Sequence, residues 1–174
     1  MAARFSGLGM AIALANVASI LTYVTKRIWI GVAIAMIVGV THAVWWLSTI
    51  AEVYTWSVAF LTIELGILVV MLKNNNILGA GVMFLAFVSG VGFSIHNFAL
   101  LPLPIYCIVA VFLIMKRKLS RFYLLGAILA YLLGASPYLF EIGKRIGESS
   151  DPLSVVKDAL VGSYGGAVVN IGFR

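Results

Sequence analysis

A few residues in this 174-residue chain have side chains suited to chemistry. Glu52 stands in Ile50-Ala51-Glu52-Val53-Tyr54-Thr55, at the edge of an apolar run. A carboxylate at that depth must be hydrated or paired. It either complements a helix dipole or lines a substrate cavity beside Tyr54. Glu64 lies near the middle of a long apolar segment. An acid there costs about 2.5–3.5 kcal/mol on insertion scales, so it should face other helices and not lipid. It is either a hydrogen-bonded structural glutamate or a proton or ion site. His96-Asn97 form a polar turn that could cap a loop or hydrogen-bond a phosphate or sugar hydroxyl. Tyr138 follows Pro137 and suits an interfacial anchor. Lys144 and Arg145 follow closely and could hold an anionic head group.

Other chemistries lack their residues. The histidines are His42 and His96, and the one cysteine is Cys107. Structural zinc takes four ligands, so no metal site is expected. Walker, zincin and nucleophile-elbow patterns are absent, and no cofactor is expected.

The elements that must position these residues are membrane helices. The chain is 63% hydrophobic and 10% charged, with a mean hydropathy of +1.10. Soluble domains are about 45–50% apolar and about 25% charged. A chain this small cannot bury so much apolar surface by itself, so the lipid bilayer is its first partner. A span needs about 20 apolar residues. Six are predicted, at residues 5–25, 28–47, 53–72, 77–95, 98–115 and 121–140. Pro137 is expected to end or kink the sixth. The fold class is therefore an all-α, polytopic transmembrane bundle over residues 1–140. A polar extramembrane tail covers 141–174, with a short helix near 152–161 capped by Asp151.

The net charge of +6 reads as topology and not as nucleic-acid binding. Lys26-Arg27, Lys73, and Lys116 to Lys118 with Arg121 occupy alternate loops. Those loops share one face, which the positive-inside rule makes cytoplasmic. Glu52, His96, Asn97 and Tyr138 then fall on the other face. Lys144 and Arg145 lie there too, against the trend.

Three segments in order resemble one family. Trp45 to Thr55 is similar to a W-x-x-x-x-x-E-V-Y-T/S turn. Gly90-Val91-Gly92-Phe93-Ser94-Ile95-His96-Asn97 resembles a glycine-rich stretch ending in a polar pair, with family members usually in the order Asn-His. Gly134-Ala135-Ser136-Pro137-Tyr138-Leu139 with Asp151-Pro152 resembles a G-L-S-P-Y-L element and a downstream Asp-Pro. The family is the DUF2723 group of GT-C membrane glycosyltransferases, which includes protein O-mannosyltransferases. The resemblance implies a GT-C-like bundle that takes a sugar from a polyprenyl-phosphate-linked donor. The acceptor would be a hydroxyl on a protein or lipid, and transfer would occur on the extracytoplasmic face. Glu52, Tyr54, His96, Asn97, Pro137 and Tyr138 match its motif positions, with Lys144 and Arg145 as candidate phosphate ligands. The membrane would be the cell membrane in a prokaryote or the endoplasmic reticulum in a eukaryote. The family's catalytic acid lies in a first outer loop that this chain does not contain, and its large C-terminal region is missing. A truncated relative that does not catalyse alone is therefore expected. A small transporter built on Glu64 and a non-catalytic membrane subunit are the alternatives.

Overall fold

The computed structural model describes residues 2–49, 54–74 and 78–161. Every regular element among them is helical: α1 Ala2–Thr25, α2 Ile28–Gly39, α3 His42–Thr49, α4 Tyr54–Lys73, α5 Leu78–Ile95, a 3-10 turn Asn97–Leu100, α6 Leu103–Met115, α7 Arg121–Glu148 and α8 Pro152–Val161. Among the described residues, five spans are long and apolar enough to cross a membrane, or six if α2 and α3 make one bent span. Their outward faces are apolar, as at Trp29 (81% exposed) and Ile108 (68%). Surface of that kind fits lipid and not water. The chain has the build of a multi-pass membrane protein.

The second span departs from expectation. Residues 28–47 do not form one straight helix but α2 and α3, bent by 69°. Gly39 ends α2. The Thr41 hydroxyl then donates to the Val38 carbonyl at 2.7 Å, and the Thr41 carbonyl accepts from Trp45 N at 3.0 Å to start α3. With twelve residues, α2 is about 18 Å long, short of an about 30 Å hydrocarbon core.

The sixth span also departs. Pro137 does not end α7, which continues to Glu148. A helix-interior proline removes the hydrogen bond to the carbonyl four residues back. Here that carbonyl belongs to Leu133, and the Ser136 hydroxyl donates to it at 2.8 Å. A neighbouring serine replaces the lost amide, as happens in membrane helices. Residues 141–148 thus extend the helix. The expected C-terminal helix is present: Asp151 Oδ1 accepts from Leu153 N at 3.2 Å and Ser154 N at 3.3 Å, and Pro152 fills the first helical position.

α5 and α7 make the most intimate helix pair, and α1 packs on α2 and α4. Glycine makes the α5–α7 contact possible. A Cβ on Gly90 would collide with the Tyr131 carbonyl, and one on Gly134 with the Phe87 carbonyl. Small residues at such crossings bring backbones together where lipid supplies no hydrophobic drive. Ser94 Oγ adds a bond to the Gly134 carbonyl at 3.2 Å.

This packing sorts the turns by end. Lys26 and Lys73 meet over the ring of Tyr23, with Nζ 4.4 and 5.1 Å from its centroid. Met71, Leu78, Leu113 and Leu119 share one buried cluster, so the turns after α4 and α6 close the same end. Tyr54, His96, Asn97 and Tyr138 gather at the opposite end.

Candidate functional site at the end opposite the lysines

The site begins with the turn between α5 and α6. His96 leaves α5 in an extended conformation, and its Nδ1 accepts from Phe98 N at 3.1 Å. That bond starts the 3-10 turn. In the neutral ring it leaves the proton on Nε2. The imidazole lies among aromatic rings, 4.9 Å from Tyr54 and 4.5 Å from Phe98 between centroids. Tyr54 and Phe98 are 5.5 Å apart. The first residue of α4 is thereby joined to the end of α5. Phe98 is exposed, whereas Tyr54, His96 and Asn97 are half-buried. A platform of this kind offers aromatic faces and one ring N–H.

Asn97 and Tyr138 meet on a single acceptor. Asn97 Nδ2 donates to the Ala159 carbonyl at 2.8 Å, and the Tyr138 hydroxyl donates to it at 3.0 Å. Ala159 lies in the last turn of α8, where helix carbonyls lack intrahelical partners. The two side chains therefore hold α8 across the end of α5 and α7. The Tyr138 ring also makes an edge contact with Phe93, 5.0 Å between centroids.

A cleft of about 200 Å³ opens between α7 and α8, lined by Tyr138, Glu141, Ile142, Arg145, Val155 and Asp158. Arg145 Nε donates to Glu141 Oε1 at 2.9 Å, one helical turn apart. Both side chains are substantially exposed, so the pair adds little stability. Its effect is to place a guanidinium at the cleft. Lys144 is exposed and does not line it. Glu52 lies outside the described residues.

Glu64 is 1% exposed and faces the bundle interior, as its cost in lipid requires. Tyr106 donates to its Oε2 at 2.7 Å, joining α4 to α6. No feature of the sequence around Tyr106 signals that pairing. Asn16 Nδ2 donates to Thr62 Oγ1 at 3.2 Å, and Thr62 Oγ1 donates to the Ala59 carbonyl at 2.7 Å. Glu64 stands ten residues beyond Tyr54, about 15 Å deeper along α4. It lines a cleft of about 340 Å³ that reaches up to Phe98 at the platform.

Among the described residues no group of three or more metal-ligating side chains occurs. The chain matches no family model, no curated protein and no solved structure.

Proposed function

We propose that this chain is the membrane-embedded body of a GT-C-type glycosyltransferase. The donor would be a polyprenyl-phosphate-linked sugar, and the acceptor a hydroxyl presented at the end opposite the lysines. One observation carries the reading. The side chains that suit sugar and phosphate collect at that end, on the platform of Tyr54, His96 and Phe98 and in the cleft beside Arg145. The lysines over Tyr23 mark the other end. The motif resemblance points to Tyr54 and His96 among these residues.

The chemistry each could supply is limited and specific. An aromatic face packs against the C–H face of a sugar ring. The His96 Nε2–H can donate to a hydroxyl or a phosphate oxygen. The Arg145 guanidinium matches phosphate geometry, and its pairing with Glu141 holds it in place. In the transfer, the acceptor oxygen bonds to the anomeric carbon as the bond from that carbon to the lipid phosphate breaks. The phosphate leaves with the electron pair, and a general base takes the hydroxyl proton. None of the described residues is assigned as that base.

The transporter alternative has less support. A route through the bilayer needs polar groups spread along it. Glu64 is instead tied to Tyr106 and lines a cavity of about 340 Å³ whose other walls are mostly apolar, such as Phe60, Leu61 and Ile105.

The test is photo-crosslinking of the protein in vesicles with a diazirine-bearing polyprenyl-phosphate sugar. Crosslinks should map to the 96–98 turn and the α7–α8 cleft, and His96→Ala should reduce them about tenfold, the worth of one charge-assisted hydrogen bond. Crosslinks confined to the Lys26–Lys73 end, or undiminished in His96→Ala, would overturn the assignment.

A further inference from the structure

At the lysine end, a groove of about 730 Å³ runs between α1, α4 and α5. Asn16, Ile20, Tyr23, Gly66, Val70 and Phe84 are among its walls. Its polar side chains are already engaged. Asn16 and Thr62 bond each other, and Ser19 Oγ donates to the Ala15 carbonyl at 2.8 Å. To a ligand the groove is therefore apolar. Phe84, on its wall, is 55% exposed.

The mouth differs in kind. Two ammonium groups from different helix ends converge on the Tyr23 ring. Cation–π attraction offsets part of their mutual repulsion, but among the described residues the only ion pair is Arg145–Glu141 at the far end. The backbone reinforces the point. Lys26 sits at φ 60°, with its N–H bonded to the Thr22 carbonyl at 2.8 Å. That is the left-handed position past a helix end where glycine is favoured. A lysine there carries strain.

We propose that this groove binds an anionic phospholipid of the adjacent leaflet, with one acyl chain between α1, α4 and α5. Its phosphate would lie between Lys26 and Lys73 at the edge of Tyr23. The occupant follows from complementarity. An apolar trough ending in two unpaired cations at the depth of a head group matches an anionic lipid, whereas a zwitterionic lipid brings its own cation to the same place. The inference is independent of the glycosyltransferase reading and survives its failure.

The experiment is native mass spectrometry of the full chain released from nanodiscs of phosphatidylcholine with a minor share of phosphatidylglycerol. Wild-type protein should retain one phosphatidylglycerol in preference to phosphatidylcholine. The pair Lys26→Gly and Lys73→Gln should lower that preference about thirtyfold, the factor that two lysines give at their usual strength near a membrane surface. Lys26→Gly relieves the strained backbone, so loss of binding is not loss of fold. Arg117→Gly relieves the same strain, at φ 56°, at the end of α6 and should leave retention unchanged. Gly66→Leu, which fills the trough, should expel the lipid while keeping both lysines. Equal retention of the two lipids by wild-type protein, or a preference that persists without Lys26 and Lys73, would overturn the proposal.

Discussion

The double anchor on Ala159 offers a direct measurement. α8 has ten residues, and isolated helices shorter than about 12–15 residues are marginal in water. Its persistence must come from its attachments. Tyr138→Phe removes one donor while keeping the ring against Phe93. Asn97→Ala removes the other. A hydrogen bond contributes about 0.5–1.5 kcal/mol net, so each change should raise exchange of the α8 amides about 2- to 12-fold. The double variant should do more than multiply these factors. After one loss the Ala159 carbonyl keeps a partner, and after two it has neither. An effect above about 5- to 150-fold is therefore expected. The assay is amide hydrogen exchange in nanodiscs, read over Val155 to Ala159, with the middle of α5 as internal reference. Unchanged protection of α8 in the double variant would refute the anchoring role.

Three further outcomes follow from the packing. Gly134→Ala should cost about 1–3 kcal/mol, because its methyl overlaps the Phe87 carbonyl; Gly143→Ala meets nothing within 4 Å and should stabilise α7 by about 0.5–1 kcal/mol, both read from thermal melting in detergent. Ser136→Ala should destabilise α7 by about 0.6–1.7 kcal/mol in the same melt, yet be harmless beside Pro137→Ala, whose amide can reach the Leu133 carbonyl; an equal cost in both backgrounds would contradict the proline account. Tyr106→Phe should cost about 1 kcal/mol and lower the melting temperature by about 2–4 °C. Glu64→Gln, which keeps an acceptor for the Tyr106 hydroxyl, should melt close to wild type, and an equal fall in the two would mean that the Glu64–Tyr106 bond is not the relevant contact.

The spans were legible because their signal is local. Twenty apolar residues bounded by lysines or a run such as Lys73-Asn74-Asn75-Asn76 declare a membrane helix wherever they occur, and α4 and α5 lie within a residue or two of their expected limits. The Asp151 cap was legible for the same reason, since acceptor and amides are neighbours in sequence. Glu64 was legible as an inward residue because lipid would penalise any other orientation. The errors came where a rescue sat outside the rule being applied. Pro137 reads as a stop or a kink, and that the helix runs on past it is explained only once Ser136 is seen to satisfy Leu133. Residues 28–47 read as one straight helix until Thr41 is seen to take the Val38 carbonyl at a 69° bend.

The sequence alone therefore determined that this is a bundle of apolar helices with its basic turns in alternate loops. Both properties come from composition and spacing along the chain. Only the tertiary structure decided what each polar side chain touches. Asn97 is 62 residues from Ala159, Glu64 is 42 from Tyr106, and Lys26 and Lys73 meet through Tyr23. Such partnerships depend on which helices cross closely, and here backbone clearance at Gly90 and Gly134 governs the closest crossing. Sequence spacing does not contain that information, because lipid-facing and helix-facing surfaces are equally apolar.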